Sequence, residues 1–193
     1  MQKSSKYIGI IIGLLTFVVL TSGCTSLNIF KNASNDFSAN DTSYNITPDI
    51  SIKKFSAYGV SFKYPSSWDV IADNTSGSNT IFASKDVSFN NVQLQVQLIP
   101  NNGMSEQDVI KQFHESVTPG WSKNASYMIK IDNKTAYEDI YLVNDTHFSK
   151  LMRFANIYLI KNDKTYLITL QAPNNEFDKE KANFAVILNS FKA

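Results

Sequence analysis

An α+β domain, with a mainly antiparallel sheet of six to eight strands and two principal helices, is what this sequence predicts. Three observations predict it. Val92, Leu94, Val96 and Leu98 alternate with Gln93, Gln95 and Gln97, which gives a strand one buried and one wet face. Turn signals such as Asp132-Asn133 and Asn162-Asp163 separate further apolar runs at hairpin spacing. Two stretches, one after Ser105 and one after Pro173, carry apolar residues at helical spacing, and such stripes must pack on a sheet.

The elements follow in order along residues 53–193. Tyr58 to Tyr64 alternates, with Val60, Phe62 and Tyr64 on one face. Pro65-Ser66-Ser67 closes that strand in a turn, and Trp68 to Ile71 resumes extended structure. Asp73 to Ser78 is a polar loop, Thr80 to Ala83 a short strand, and Val92 to Leu98 the alternating one. Ser105 followed by Asp108 reads as a helix N-cap close to a capping box, leading into Val109, Ile110, Phe113 and Val117. Pro119-Gly120 ends that helix. Tyr127 to Ile131, Thr135 to Val143, Phe148 to Ile160 and Thr165 to Gln171 are strands joined by turns. The last helix places Phe177, Phe184, Ile187, Leu188 and Phe191 on one face.

The first 52 residues are of another character. Lys3 and Lys6 precede a 14-residue uncharged run, Tyr7 to Leu20. That suits the apolar region of a secretory signal over residues 1–23 and is short for a membrane-spanning helix, which needs about 20 apolar residues. Thr21-Ser22-Gly23 then leads to Cys24, the single cysteine of 193 residues. Small residues followed by cysteine resemble the lipobox of lipoproteins, where the signal is cut before a cysteine that carries a lipid thioether. Here Thr21 stands where that pattern has Leu, and Leu20 lies one residue further out. The resemblance implies Cys24 as a lipid-attachment site; the other reading is an uncleaved N-terminal anchor or a cut elsewhere. Each reading places the domain at the extracytoplasmic face of a cell membrane. Residues 24–52, crowded with Ser, Thr, Asn and Asp, read as a disordered tether, because they bury too little apolar surface to offset ordering entropy.

Charge excludes some partners. Of 18 bases and 17 acids, Lys3 and Lys6 precede Cys24, so the chain from Cys24 onward carries 16 bases against 17 acids, or −1. That balance, without basic runs, argues against nucleic acid, whose binding rests on phosphate neutralisation, and against a polybasic membrane surface. A lone cysteine excludes an intrachain disulfide framework. Seven Asn-x-Ser/Thr sequons, at Asn32, Asn40, Asn45, Asn74, Asn124, Asn133 and Asn144, are candidate glycosylation sites. An Asn-rich sequence also makes some sequons by accident.

Tyr58-Gly59-Val60-Ser61-Phe62-Lys63-Tyr64-Pro65-Ser66-Ser67-Trp68-Asp69-Val70 resembles the opening of the PsbP family, named for an extrinsic accessory protein of the oxygen-evolving photosystem. Its core is F-x-Y-P-x-x-W. Gln171-Ala172-Pro173 and the closing Ile187 to Lys192 resemble the family's end. The resemblance implies the PsbP-like α/β/α sandwich and a stand-alone prokaryotic lipoprotein of that kind. It also implies a non-catalytic accessory or docking module, with Phe62, Tyr64 and Trp68 as core residues rather than a site. The photosystem role is not implied.

No catalytic residue, cofactor or metal ligand set is expected. His114 reads as a helix-surface or boundary side chain, and His147, with Asp145, as turn chemistry, since two ligands do not close a metal site. There is no Gly-x-Ser-x-Gly elbow and no phosphate-cradling glycine loop. Tyr137, Tyr141, Tyr158 and Tyr166 read as sheet packing, with a peptide, glycan or apolar-ligand groove as the sharper alternative. The expected role is an accessory domain with an envelope protein partner. The alternative is a solute- or metal-binding lipoprotein serving a transporter, which needs a closed pocket.

Overall fold

In the computed structural model, the described residues are 38–39, 44, 49–74, 79–86, 91–116, 118–145 and 149–193. They form ten strands: β1 Ser38–Ala39, β2 Ile52–Ala57, β3 Val60–Pro65, β4 Asp69–Asp73, β5 Thr80–Ser84, β6 Gln93–Pro100, β7 Trp121–Ile131, β8 Lys134–Asp145, β9 Lys150–Lys161 and β10 Lys164–Pro173. The helices are α1 Glu106–Glu115 and α2 Asn174–Ser190. Cys24, Asn32, Asn40, Asn45, Val117, His147 and Phe148 lie outside the described residues.

The large sheet has the order β1-β7-β8-β9-β10-β6-β5-β4, and β2-β3 form a separate hairpin. All neighbours in the large sheet are antiparallel except β1 with β7, which is parallel. The turns between β7 and β8 and between β9 and β10 form as their sequences predict. Asp132-Asn133 (φ 50° and 60°) and Asn162-Asp163 (φ 53° and 57°) adopt the left-handed pairs that match the strand twist. Tyr58-Gly59, expected within a strand, instead makes the β2–β3 turn with φ 54° and 78°. Glycine is needed there because L side chains resist such a φ.

Period-2 alternation sorts the sheet into two faces. On one face Tyr166, Ile168, Leu170 and Ala172 of β10 lie beside Leu159, Ile157 and Ala155 of β9 and Val96 and Leu94 of β6. This is the main core. The apolar stripe of α2 covers it, with Phe177, Phe184, Ile187 and Leu188 buried. Burial of each such side chain contributes roughly 1.5–3 kcal/mol. The β2–β3 hairpin packs on the same side: Phe62 stacks on Phe191 at 6.3 Å, and Ser61 and Lys192 exchange backbone hydrogen bonds of 2.9 and 2.8 Å. In the F-x-Y-P-x-x-W turn the Trp68 N–H donates to the Pro65 carbonyl at 2.9 Å, which swings the indole edge-on to Phe184 at 5.8 Å. The other face carries α1, whose Phe113 ring stacks on Tyr158 at 5.1 Å. Helix, sheet and helix thus form the predicted α/β/α sandwich.

Ordered structure reaches further towards the N-terminus than residue 53. Tyr44 is buried in the main core, its hydroxyl donates to Glu138 Oε1 at 2.7 Å, and its carbonyl accepts from Asn189 at 2.9 Å. Ser38 and Ala39 pair with Tyr127 and Met128. The expectation of a disordered tether over 24–52 is therefore corrected at these residues and at Ile52, which opens β2. Composition missed them because a two-residue strand and one anchoring aromatic leave no periodicity.

Asp132, in the β7–β8 turn, ties the end of the fold together. Lys161 donates to its Oδ2 at 2.6 Å, Lys192 to its Oδ1 at 2.8 Å, and the Ala193 N–H to Oδ2 at 3.3 Å. The lysine hydrogen bonds, Lys161's foremost, hold its pKa down at about 2. A folded pKa below the unfolded one adds stability above the unfolded value, near pH 4, that disappears as pH falls towards about 2. Asp132→Asn should cost on the order of 1 kcal/mol at neutral pH, after allowance for solvent screening at the exposed Lys192. Urea unfolding of both proteins across this pH range should show the gap closing with acid; a gap independent of pH would contradict the assignment.

Candidate functional site

The densest polar chemistry among the described residues lies on the α1 side of the sheet, around Asp139. Alternation along β8 puts Thr135, Tyr137, Asp139, Tyr141 and Val143 on this face. Asp139 is fully buried, because α1 crosses above it. A buried carboxylate needs partners, and four side chains supply them. Ser126, directly opposite on β7, donates its hydroxyl to Oδ1 at 2.6 Å. The Tyr141 hydroxyl donates to Oδ2 at 3.3 Å. His114 Nδ1 of α1 lies 3.1 Å from both oxygens. The Lys123 ammonium lies 3.4 Å from Oδ2 and donates to the His114 carbonyl at 2.8 Å.

Local structure aims these groups. The Ser105 Oγ accepts from the Asp108 N–H at 3.2 Å and donates to its carboxylate at 2.6 Å, so α1 begins where the capping pattern predicts. The pairing of β7 with β8 shifts register between Lys123 and Ala125, a bulge at Asn124. Bulges re-aim side chains, and this one brings Lys123 beneath the end of α1. Lys123 Nζ is also 2.9 Å from His114 Nδ1. One nitrogen cannot both accept from an ammonium and donate to a carboxylate. The consistent assignment has Nδ1–H donating to Asp139 while Lys123 serves the His114 carbonyl and the Asp139 charge.

This arrangement ties α1 to the sheet through Asp139. The Ser126 proton points at Asp139, not at the imidazole, so Ser126, His114 and Asp139 do not form a relay in which a base draws a proton from serine. Burial, then the Asp139 charge, pushes the Tyr141 phenol well above its usual range. Burial first, then Tyr141, does the same to Tyr158. Both rings stay neutral. No group of three or more His, Cys, Asp and Glu among the described residues is placed to hold a metal.

His114, expected at a helix surface or boundary, is thus mostly buried against Asp139. The four tyrosines do not line one groove. Tyr166 lies in the main core, Tyr141 and Tyr158 under α1, and Tyr137 beside an open depression of about 360 Å³ with Ser105, Glu106, Gln107 and Ile110. A second depression, of about 340 Å³, lies on the β2–β3 hairpin. Neither is the closed pocket that a solute-binding protein needs. Of the sequons, Asn74, Asn124, Asn133 and Asn144 are exposed.

Comparison with known proteins places this geometry in a family. The profile of the PsbP-like proteins matches residues 8–193. The chain belongs to the PsbP-like family. No curated protein matches it. The PsbP-like fold also appears in the solution structure of cyanobacterial PsbP (CyanoP) from Synechocystis sp. PCC 6803, at 17% identity and a TM-score of 0.53, covering 76% of this chain and 94% of that one. A Bacteroides thetaiotaomicron protein is similar at 14% identity and a TM-score of 0.52, over 73% of this chain but 48% of its own. LpqN of Mycobacterium tuberculosis, described as involved in cell envelope biogenesis, is similar at 13% identity and a TM-score of 0.50, over 75% and 92%. At these identities the likeness concerns the fold. The motif residues Phe62 and Trp68 are buried in the PsbP-like core, as the resemblance implied.

Proposed function

We propose that this chain is an exported lipoprotein, anchored through Cys24, whose PsbP-like domain is a non-catalytic accessory module at the outer face of a cell membrane. One observation carries the reading. The family match begins at Ile8, inside the uncharged Tyr7–Leu20 run, so it takes in the apolar segment, Gly23-Cys24 and the domain as one unit. The Asp139 cluster supports the non-catalytic part, since its serine and histidine both serve the carboxylate.

The role is adhesion of a folded domain to a membrane and presentation of its surfaces to an envelope protein partner. Among the described residues no helix is long and apolar enough to cross a membrane, and the proposal assigns retention to the N-terminal segment. Metabolic labelling with a fatty acid in cells making the wild-type chain or Cys24→Ser tests it. Label should enter the wild type and be absent from the variant. Equal labelling, or label in neither, would reject lipid attachment at Cys24.

A further inference from the structure

We propose that the outer face of the β2–β3 hairpin docks on the anionic headgroups of the membrane that holds the chain, an inference that rests on the membrane-anchored reading above. The strand register places Lys54 directly opposite Lys63, with Ser56 opposite Ser61 and Ile52 opposite Pro65 on the same face. Like charges directly opposite on neighbouring strands repel. No acid among the described residues pairs with either ammonium. Both lysines, with Ser56, Ser61 and Ser190, line the open depression of about 340 Å³. Two unpaired ammonium groups beside the Ser56 and Ser61 hydroxyls fit a phosphate, which offers negative charge and several acceptor oxygens.

Apolar exposure on the same face favours a lipid surface over a free anion. Ile52 is 47% exposed, and Ile50, just before β2, is 38% exposed. Cations beside exposed aliphatic side chains are the composition of an interfacial membrane patch. Chain length permits the contact. Described structure begins at Ser38, 14 residues after Cys24. Those 14 steps reach at most about 50 Å. A domain on so short a lead remains within contact range of the bilayer, where two unpaired lysines would give it a preferred orientation.

The test reconstitutes the full chain into vesicles of phosphatidylcholine alone, or of equal parts phosphatidylcholine and phosphatidylglycerol. An amine-reactive reagent and mass spectrometry then measure labelling of each lysine. Labelling of Lys54 and Lys63 should fall several-fold on the anionic vesicles, in line with about a fivefold preference for each lysine engaged. High salt should restore it. Lys111, on α1 across the sheet, should not change. Retention on the neutral vesicles reports the anchor separately, so its failure is distinguishable from failure of the patch. A K54Q/K63Q chain should be retained equally on both compositions. Equal labelling of Lys54 and Lys63 on both vesicle types would overturn the proposal. So would equal protection by inorganic phosphate on neutral vesicles, which would make this a free-anion site.

Discussion

Trp68→Ala should lower the unfolding free energy by about 3–5 kcal/mol, the range for removing a large aromatic from a packed core. The indole is 1% exposed. It stands edge-on to Phe184 at 5.8 Å, and Phe184 in turn packs on Phe177 at 5.5 Å. Trp68 therefore joins the Pro65 turn to two turns of α2. Its loss leaves a cavity under the helix that neither the sheet nor the turn can collapse to fill. Domains of this size hold only about 5–15 kcal/mol in all, so the variant should be near the limit of folding. Urea titration should show the midpoint falling with the slope unchanged. Trp68→Phe should recover much of the loss. A shift below about 1 kcal/mol would mean that the turn is not fastened through this ring.

Asp139→Ala should cost a similar amount, about 3–5 kcal/mol, for a different reason. It strands the Lys123 ammonium and removes the acceptor used by Ser126, Tyr141 and His114. Lys123→Met should cost less, because three donors, Ser126, Tyr141 and His114, still face the carboxylate. The loss should be concentrated in α1: its amides should exchange hydrogen much faster in Asp139→Ala, while those of β9 and β10 follow the global stability. Unchanged exchange in α1 would show that Phe113 on Tyr158 holds the helix without the polar lock.

The sequence exposes these two features very unequally. Trp68 sits in a motif, and its partners on α2 show the 3.6 period, so the core was legible. The Val92–Leu98 strand was legible because glutamine alternates with aliphatics on a sheet with one core face. β7 was legible only from Tyr127. Its first half, Trp121 to Ser126, carries Ser, Lys and Asn and a bulge that breaks the alternation. β2 was hidden because Lys53-Lys54 breaks its apolar pattern. Asp139 shares its strand face with Thr135, Tyr137, Tyr141 and Val143, and the opposite face carries Glu138, so alternation along β8 does not say which acid is buried; the passage of α1 over Asp139 covers it. His114 lies 25 residues from Asp139. No local pattern pairs them; an acid amid Tyr137, Ile140 and Tyr141 was the available hint.

The central claim is a PsbP-like domain held to a membrane through Cys24, and the intact mass of the protein extracted from membranes tests it most directly. The account predicts a chain that begins at Cys24, lacking residues 1–23 and heavier than its polypeptide by a lipid at that cysteine. A mass equal to the unmodified chain, or to a chain cut at any other residue, would contradict it.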